Sequence, residues 1–240
     1  MDEIVAVGQM ARDLVLVVDE VPGPGDTTPV RERREMLGGK GANIAVGLAQ
    51  LGAPVALVGV VGDDDVGARL IARAAADGIA TEAVVRRPDT ETGLIVDLVA
   101  DGWRYLGHLP DAVRLREDDL PIDLITRAAA EPLSGRTIKT ANDAVEAARE
   151  VRALGPNLVA FAVDDVGDVG DVFAGDSGQL VVPPGDVEVV DTTGRGDAFV
   201  AALTFSLTRG DGPEEAARRA VEASGDTVSH LGGRPTLTAR

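Results

Sequence analysis

Apolar residues along this chain come in two modes, short unbroken runs and stripes at helical spacing. Residues 4–8, 14–18 and 55–61 are near-continuous apolar runs, the form of strands covered on both faces. Between and after them the stripes begin. Ile44, Ala45, Leu48 and Leu51 fall on one face of a helix predicted over 42–51. A second helix is predicted from the acidic start at 62–65 through about 76, closed by Asp77-Gly78. Thr140 caps a third, over 140–154, which Gly155-Pro156 stops. A fourth follows over 197–207, and Pro213 and Glu214 open a fifth that reaches about 228. Residues 28–36 are polar and alternating, which suits an exposed strand, while 81–87, 93–99 and 103–108 read as short strands parted by Pro88-Asp89 and Asp101-Gly102. Residues 158–163 read as a buried strand, and 169–173 and 179–182 as a hairpin. Strands alternating with helices predict an α/β domain.

Composition narrows the picture. At 240 residues the chain can bury one full core, and no repeat or linker divides it, so residues 1–240 are expected to form a single domain. Aromatics are 2% of the chain, so that core must be aliphatic. A net charge of −17 argues against nucleic acid or an anionic membrane as partner, and makes any phosphate site a local exception built from backbone amides and a few cations. Cysteine is absent, which excludes disulfides and thiolate metal sites. Without an apolar leader or an apolar run of about 18 residues, no signal peptide or membrane span is expected, and a cytoplasmic location is the default.

Candidate chemistry concentrates in residues 187–203. The β-branched run 187–190 predicts a strand, a turn of Thr192, Thr193, Gly194 and Gly196 follows, and from Asp197 the pattern is helical. Strand, glycine turn and helix start in that order build an anion site, where backbone N–H groups converge and the helix dipole adds positive charge. Asp197 stands at its mouth. A carboxylate beside a bound phosphate needs a task, such as taking a proton from an attacking hydroxyl; the simpler reading is an acidic first turn that favours the dipole. The cluster Asp63-Asp64-Asp65 at another helix start is read as capping rather than as metal ligands.

The stretch Asp191-Thr192-Thr193-Gly194-Arg195-Gly196-Asp197-Ala198-Phe199 resembles the C-terminal signature of the ribokinase-like (phosphofructokinase-B type) carbohydrate kinases, and Gly38-Gly39-Lys40-Gly41-Ala42-Asn43 resembles their second signature. The resemblance implies a three-layer α/β/α sandwich with a mostly parallel sheet and a small β lid, its strands drawn from about 12–36 and 81–108. It implies transfer of the γ-phosphate of ATP to a primary hydroxyl of a sugar or polyol, with Asp197 as general base and the amides of Gly194, Arg195 and Gly196 as the anion hole. Asp13, Gly39, Lys40 and Asn43 would hold the sugar. Gly167, Gly232 and Gly233 would lie beside the nucleotide. Glu131 would position Mg²⁺ through water, and Asp191 and Thr193 match positions around a K⁺ ion in potassium-activated relatives. Arg104 and His108 are candidate lid contacts on which nothing is staked.

The sequence departs from that pattern in places. Ala11 stands where an Asn often precedes Asp13, and Ala128 where an Asn should precede Glu131. Asp164-Asp165 lie where a glycine turn meets the nucleotide, leaving Gly167 alone. Past Leu109 the chain is short by about two βα units, on the order of 60 residues. Three readings stay open: an active sugar kinase, a catalytically impaired relative that binds a sugar or nucleoside, and a kinase that lacks a segment of its parent. Loss of two units should bare a sheet edge, which leads us to expect a homodimer.

Overall fold

The computed structural model describes residues 4–119, 158–161, 171–175, 178–182 and 187–238. Its parallel sheet has β1 (Ile4–Val7), β4 (Val55–Gly62) and β5 (Val84–Arg87) in the order β1-β4-β5. Every residue of β4 is buried, so both faces of this strand are covered, as an unbroken apolar run requires. Val55, Leu57 and Val61 share a core cluster with Val46 and Leu48 of α1 (Lys40–Gln50) and Leu70 of α2 (Asp65–Ala76).

A second, four-stranded sheet stands apart. It runs β3 (Val30–Gly38), β2 (Ala11–Val18), β6 (Leu94–Val99), β7 (Trp103–His108), with β2 and β6 parallel and the outer pairs antiparallel. Residues 81–87, expected among its strands, belong elsewhere: Val84–Arg87 pair in parallel with Gly59–Gly62 and extend the core sheet. A third sheet is the antiparallel β8 (Leu158–Phe161), β9 (Asp171–Gly175) and β10 (Gly178–Val182), the last two forming the expected hairpin.

Residues 187–190 do not form the strand that their β-branching predicts. They bond to no strand among the described residues; instead the N–H groups of Val190 and Asp191 both donate to the Val228 carbonyl, at 2.8 and 3.2 Å. Val187, Val189 and Val190 are exposed. The segment leads into α3 (Arg195–Thr208), which packs beside α4 (Pro213–Val228). α3 carries apolar residues on all sides because it is clasped on all sides. Ala201 and Phe205 join the α1 cluster, while Phe199 and Leu203 meet Ala217, Ala220 and Val221 of α4 and Leu180 of β10. The predicted capping at 63–65 holds: Asp64 caps α2 and accepts from Gly67 N at 2.7 Å and Thr92 N at 2.9 Å. No helix among the described residues is long and apolar enough to cross a membrane. The expectations that fall on Ala128, Glu131, the helix at 140–154 and Asp164 to Gly167 lie outside the described residues.

Candidate active site

The candidate site lies where two helix starts, those of α1 and α3, meet the inner face of the four-stranded sheet. Gly39 caps α1, packed against Gln9, and Lys40 follows it as an exposed residue. One turn into α1, Asn43 is 3% exposed and its Nδ2 donates to Asp197 Oδ2 at 2.9 Å. Asp197 sits in the first turn of α3, itself 8% exposed. Burial pushes its pKa up, against the Asn43 hydrogen bond and the Lys40 charge, which pull it down. A buried carboxylate whose proton affinity is raised is better suited to act as a base than one in open water.

Gly194 caps α3 in the left-handed region, at φ 76°, and a side chain there would run into the Gly233 backbone. The turn and the 232–233 loop therefore touch backbone to backbone. The N–H groups of Gly194, Gly196 and Asp197 have no backbone acceptor among the described residues, whereas Arg195 N–H donates to Thr192 O at 3.3 Å. Residues 193–196 are partly exposed, and open space surrounds Gly196 Cα. Amides left without a backbone acceptor at a helix start suit a phosphate.

Asp191 is buried and both its oxygens are engaged. Oδ1 accepts from Thr193 N at 2.9 Å and Oδ2 from Gly232 N at 2.8 Å, which ties the anion turn to the C-terminal loop. Among the described residues no group of three or more His, Asp or Glu side chains is placed to hold a metal ion. Asp191 thus braces the turn against the C-terminal loop. Arg234 carries the same loop to the end of α2, pairing with Asp77 at 2.6 Å.

Asp13 lies on the inner face of β2, 2% exposed, directly over Gly38 of β3; a Cβ on Gly38 would overlap its carboxyl group. Burial first, and then the charges of Asp97, Asp197 and Asp191, raise its pKa to about 7. Arg104 and His108 stand on the other face of the sheet, opposite Leu98 and Leu94 and away from the Asp13 row. Two residues of this face escaped the sequence reading. Asp97 of β6 is 1% exposed, with a pKa raised to about 6 by burial and by Asp191. Tyr105 of β7 is its cross-strand partner, pushed up to about 12 by burial and by Asp13, Asp97 and Asp197. One signal for Asp97 was present: a lone carboxylate interrupting the apolar run 94–99.

A parallel core sheet, a separate four-stranded sheet, and an acid among free amides at a helix start are the parts of a phosphate-handling site in an α/β protein. The profile of the "pfkB family carbohydrate kinase" matches residues 1–112 and 123–240, and the chain belongs to that family of carbohydrate kinases. It is 30% identical to a ribokinase of Bacillus subtilis over 286 aligned positions, covering 100% of this chain and 97% of the relative. That alignment is longer than the chain itself, in keeping with a shortened middle, and the family profile breaks between residues 112 and 123. An ATP-dependent ribose-1-phosphate kinase of Halopiger xanaduensis is 28% identical over 285 positions, covering 100% of this chain and 96% of that one. The solved structure of Thermotoga maritima ribokinase superposes with a TM-score of 0.73 at 25% identity, over 96% of this chain and 94% of that chain.

Proposed function

We propose that this carbohydrate kinase moves the terminal phosphoryl group of ATP to a primary hydroxyl of a sugar or related polyol, with Asp197 as general base. The observation that supports it best is the position of Asp197: a buried carboxylate beside the free amides of Gly194 and Gly196 and fixed by Asn43 from another helix. Asp197 takes the proton of the acceptor hydroxyl. The acceptor oxygen forms the new bond to phosphorus as the bond to the bridging oxygen breaks, and ADP departs with that electron pair. Charge spreads over the equatorial oxygens during transfer, so amides already oriented toward them stabilise that state more than the ground state.

The acceptor would lie against Asp13, Gly39, Lys40 and Asn43, with the nucleotide along Gly232 and Gly233. The ATP dependence of the H. xanaduensis relative supports the donor. Mg²⁺ brought with ATP, and K⁺ near Asp191 and Thr193, belong to this proposal through the family resemblance, and no step above depends on either.

The test is ADP release from ATP over free and phosphorylated pentoses and hexoses, run beside Asp197→Asn. The wild type is expected to turn over at least one acceptor, and the variant to lose roughly 10²–10⁴-fold in kcat while still binding it. Equal rates in the two proteins would remove Asp197 from the chemistry.

A further inference from the structure

Asp97 has no task in the reaction just described, yet its position is the least comfortable in the cleft. Val15 of β2 and Tyr105 of β7 are its register partners, so Asp97 shares their face of the sheet, and Asp13, two residues from Val15, shares it too. That face is turned to the 232–233 loop and the start of α1: a Cβ added at Gly232 would meet the side chains of Met36 and Val15, and one added at Gly38 would meet Asp13. Among the described residues neither oxygen of Asp97 has a hydrogen-bond partner, and the same holds for Oδ1 of Asp13 and Oδ1 of Asn43.

Four buried oxygens on three elements are therefore short of donors. Arg34 lies on the same face of the sheet but is exposed and paired with Glu32, which leaves Lys40 as the cation acting on Asp197. A buried, unpartnered carboxylate is among the costlier groups a fold can carry, and Leu or Val would suit an apolar strand better. When such a group faces a cleft, a ligand is the natural source of the missing donors.

We propose that Asp97 is a specificity-determining residue of the acceptor pocket. Together with Asp13 it receives hydroxyl or ammonium hydrogens from an uncharged or amino-bearing polyol, and it turns away acceptors that already carry a phosphate. The inference rests on the kinase reading above. A phosphate brings close to two negative charges and no strong donors, and Asp13 and Asp97, with no cation paired to them among the described residues, would repel it.

The experiment compares D-ribose, D-glucosamine and ribose 1-phosphate as acceptors for the wild type, Asp97→Asn and Asp97→Leu, with Asp197→Asn as a control for the chemistry. The wild type is expected to prefer the better of the two unphosphorylated sugars over the phosphate by roughly 100-fold in kcat/KM. Asp97→Leu should raise KM about tenfold or more with kcat nearly unchanged, and Asp97→Asn, which keeps one acceptor oxygen, should fall between. Without sugar, Asp97→Leu should melt at or above the wild-type temperature. Preference for ribose 1-phosphate, an unchanged KM in Asp97→Leu, or a lower melting temperature in both variants would each overturn the proposal. If no acceptor is turned over, the kinase reading fails separately. The sugar-induced rise in melting temperature then decides: present in wild type and lost in Asp97→Leu supports the role, and any other result ends it.

Discussion

Asn43 and Asp197, 154 positions apart in sequence, are joined by a buried 2.9 Å hydrogen bond between the first turns of two helices. The bond fixes the carboxyl group and favours its ionised form, while burial works the other way. Asn43→Leu removes the pull toward low pKa, so the Asp197 pKa rises. The acid limb of the kcat/KM profile should then move to higher pH, with kcat down about tenfold or more. A pH–rate series on the two proteins checks it, and an unmoved acid limb would show that Asn43 does not set the base.

Gly38 is expected to act through Asp13. A methyl at this position occupies the space of the Asp13 carboxyl group, so Gly38→Ala must displace the acid from the inner face. Acceptor KM should rise by about the same factor as in Asp13→Ala, on the order of tenfold, and the two changes should not add, because they remove one interaction. Steady-state kinetics on the two single variants and the double variant provide the comparison.

Gly194→Ala attacks the donor side. The residue has a positive φ and its Cβ would strike the Gly233 backbone, so the anion turn and the C-terminal loop must separate. We expect a loss of about 1–3 kcal/mol in stability and a nucleotide affinity weakened more than the acceptor affinity. Calorimetry with ATP and with sugar, each alone, separates the two effects.

The acidic cleft also sets a pH dependence for folding. Asp13 and Asp97 titrate at about 7 and about 6 in the folded chain, against an ordinary value of 3.8. Burial is the first cause for both; the charges of Asp97, Asp197 and Asp191 then act on Asp13, and that of Asp191 acts on Asp97. A raised carboxylate pKa means that the folded chain holds more protons, so its contribution is fully present below pH 4 and is lost as pH climbs through 6 and 7. For Asp13 alone this is worth on the order of 4 kcal/mol. Asp64 and Asp119 behave oppositely: burial raises them, but bonds from Thr92 and Gly67, and from Arg116 and Arg87, outweigh it and keep them low. Their share is lost only on acidification below the ordinary carboxylate range. The free enzyme should thus be most stable near pH 5 and weaker at pH 8. Denaturant titrations at both values check this, and Asp13→Asn should flatten the difference.

The exposed valines at 187, 189 and 190, with Trp103 and Leu106 on β7, leave apolar surface in extended segments. We expect the chain to self-associate as a homodimer at micromolar concentration. Light scattering that reports a monomer mass there would count against it.

What the sequence disclosed about the fold was local. The ends of α1, α3 and α4 were legible because Gly39, Gly194 and Pro213 punctuate them, and a helix is closed by bonds within its own segment. Residues 187–190 misled for the converse reason: β-branching favours extended backbone, but a strand also needs a neighbour, and here the amides turn to Val228. Residues 84–87 were recognisably extended, yet which sheet they join is decided by pairing with β4, far from anything a short window contains. The site divides in the same way. Asp197 and Asn43 announce themselves through spacing beside glycines. Asp97 gains its meaning only from the register that sets it beside Val15 and Tyr105.

Asp191 carries one more consequence. The chain has no cysteine, and a single carboxylate bonded to Thr193 and Gly232 closes the 41-residue span containing α3 and α4. Deuterium uptake should reveal this span as one cooperative opening unit rather than two helices fraying on their own. The amides at the start of α3 and the 232–233 loop would then loosen together or not at all.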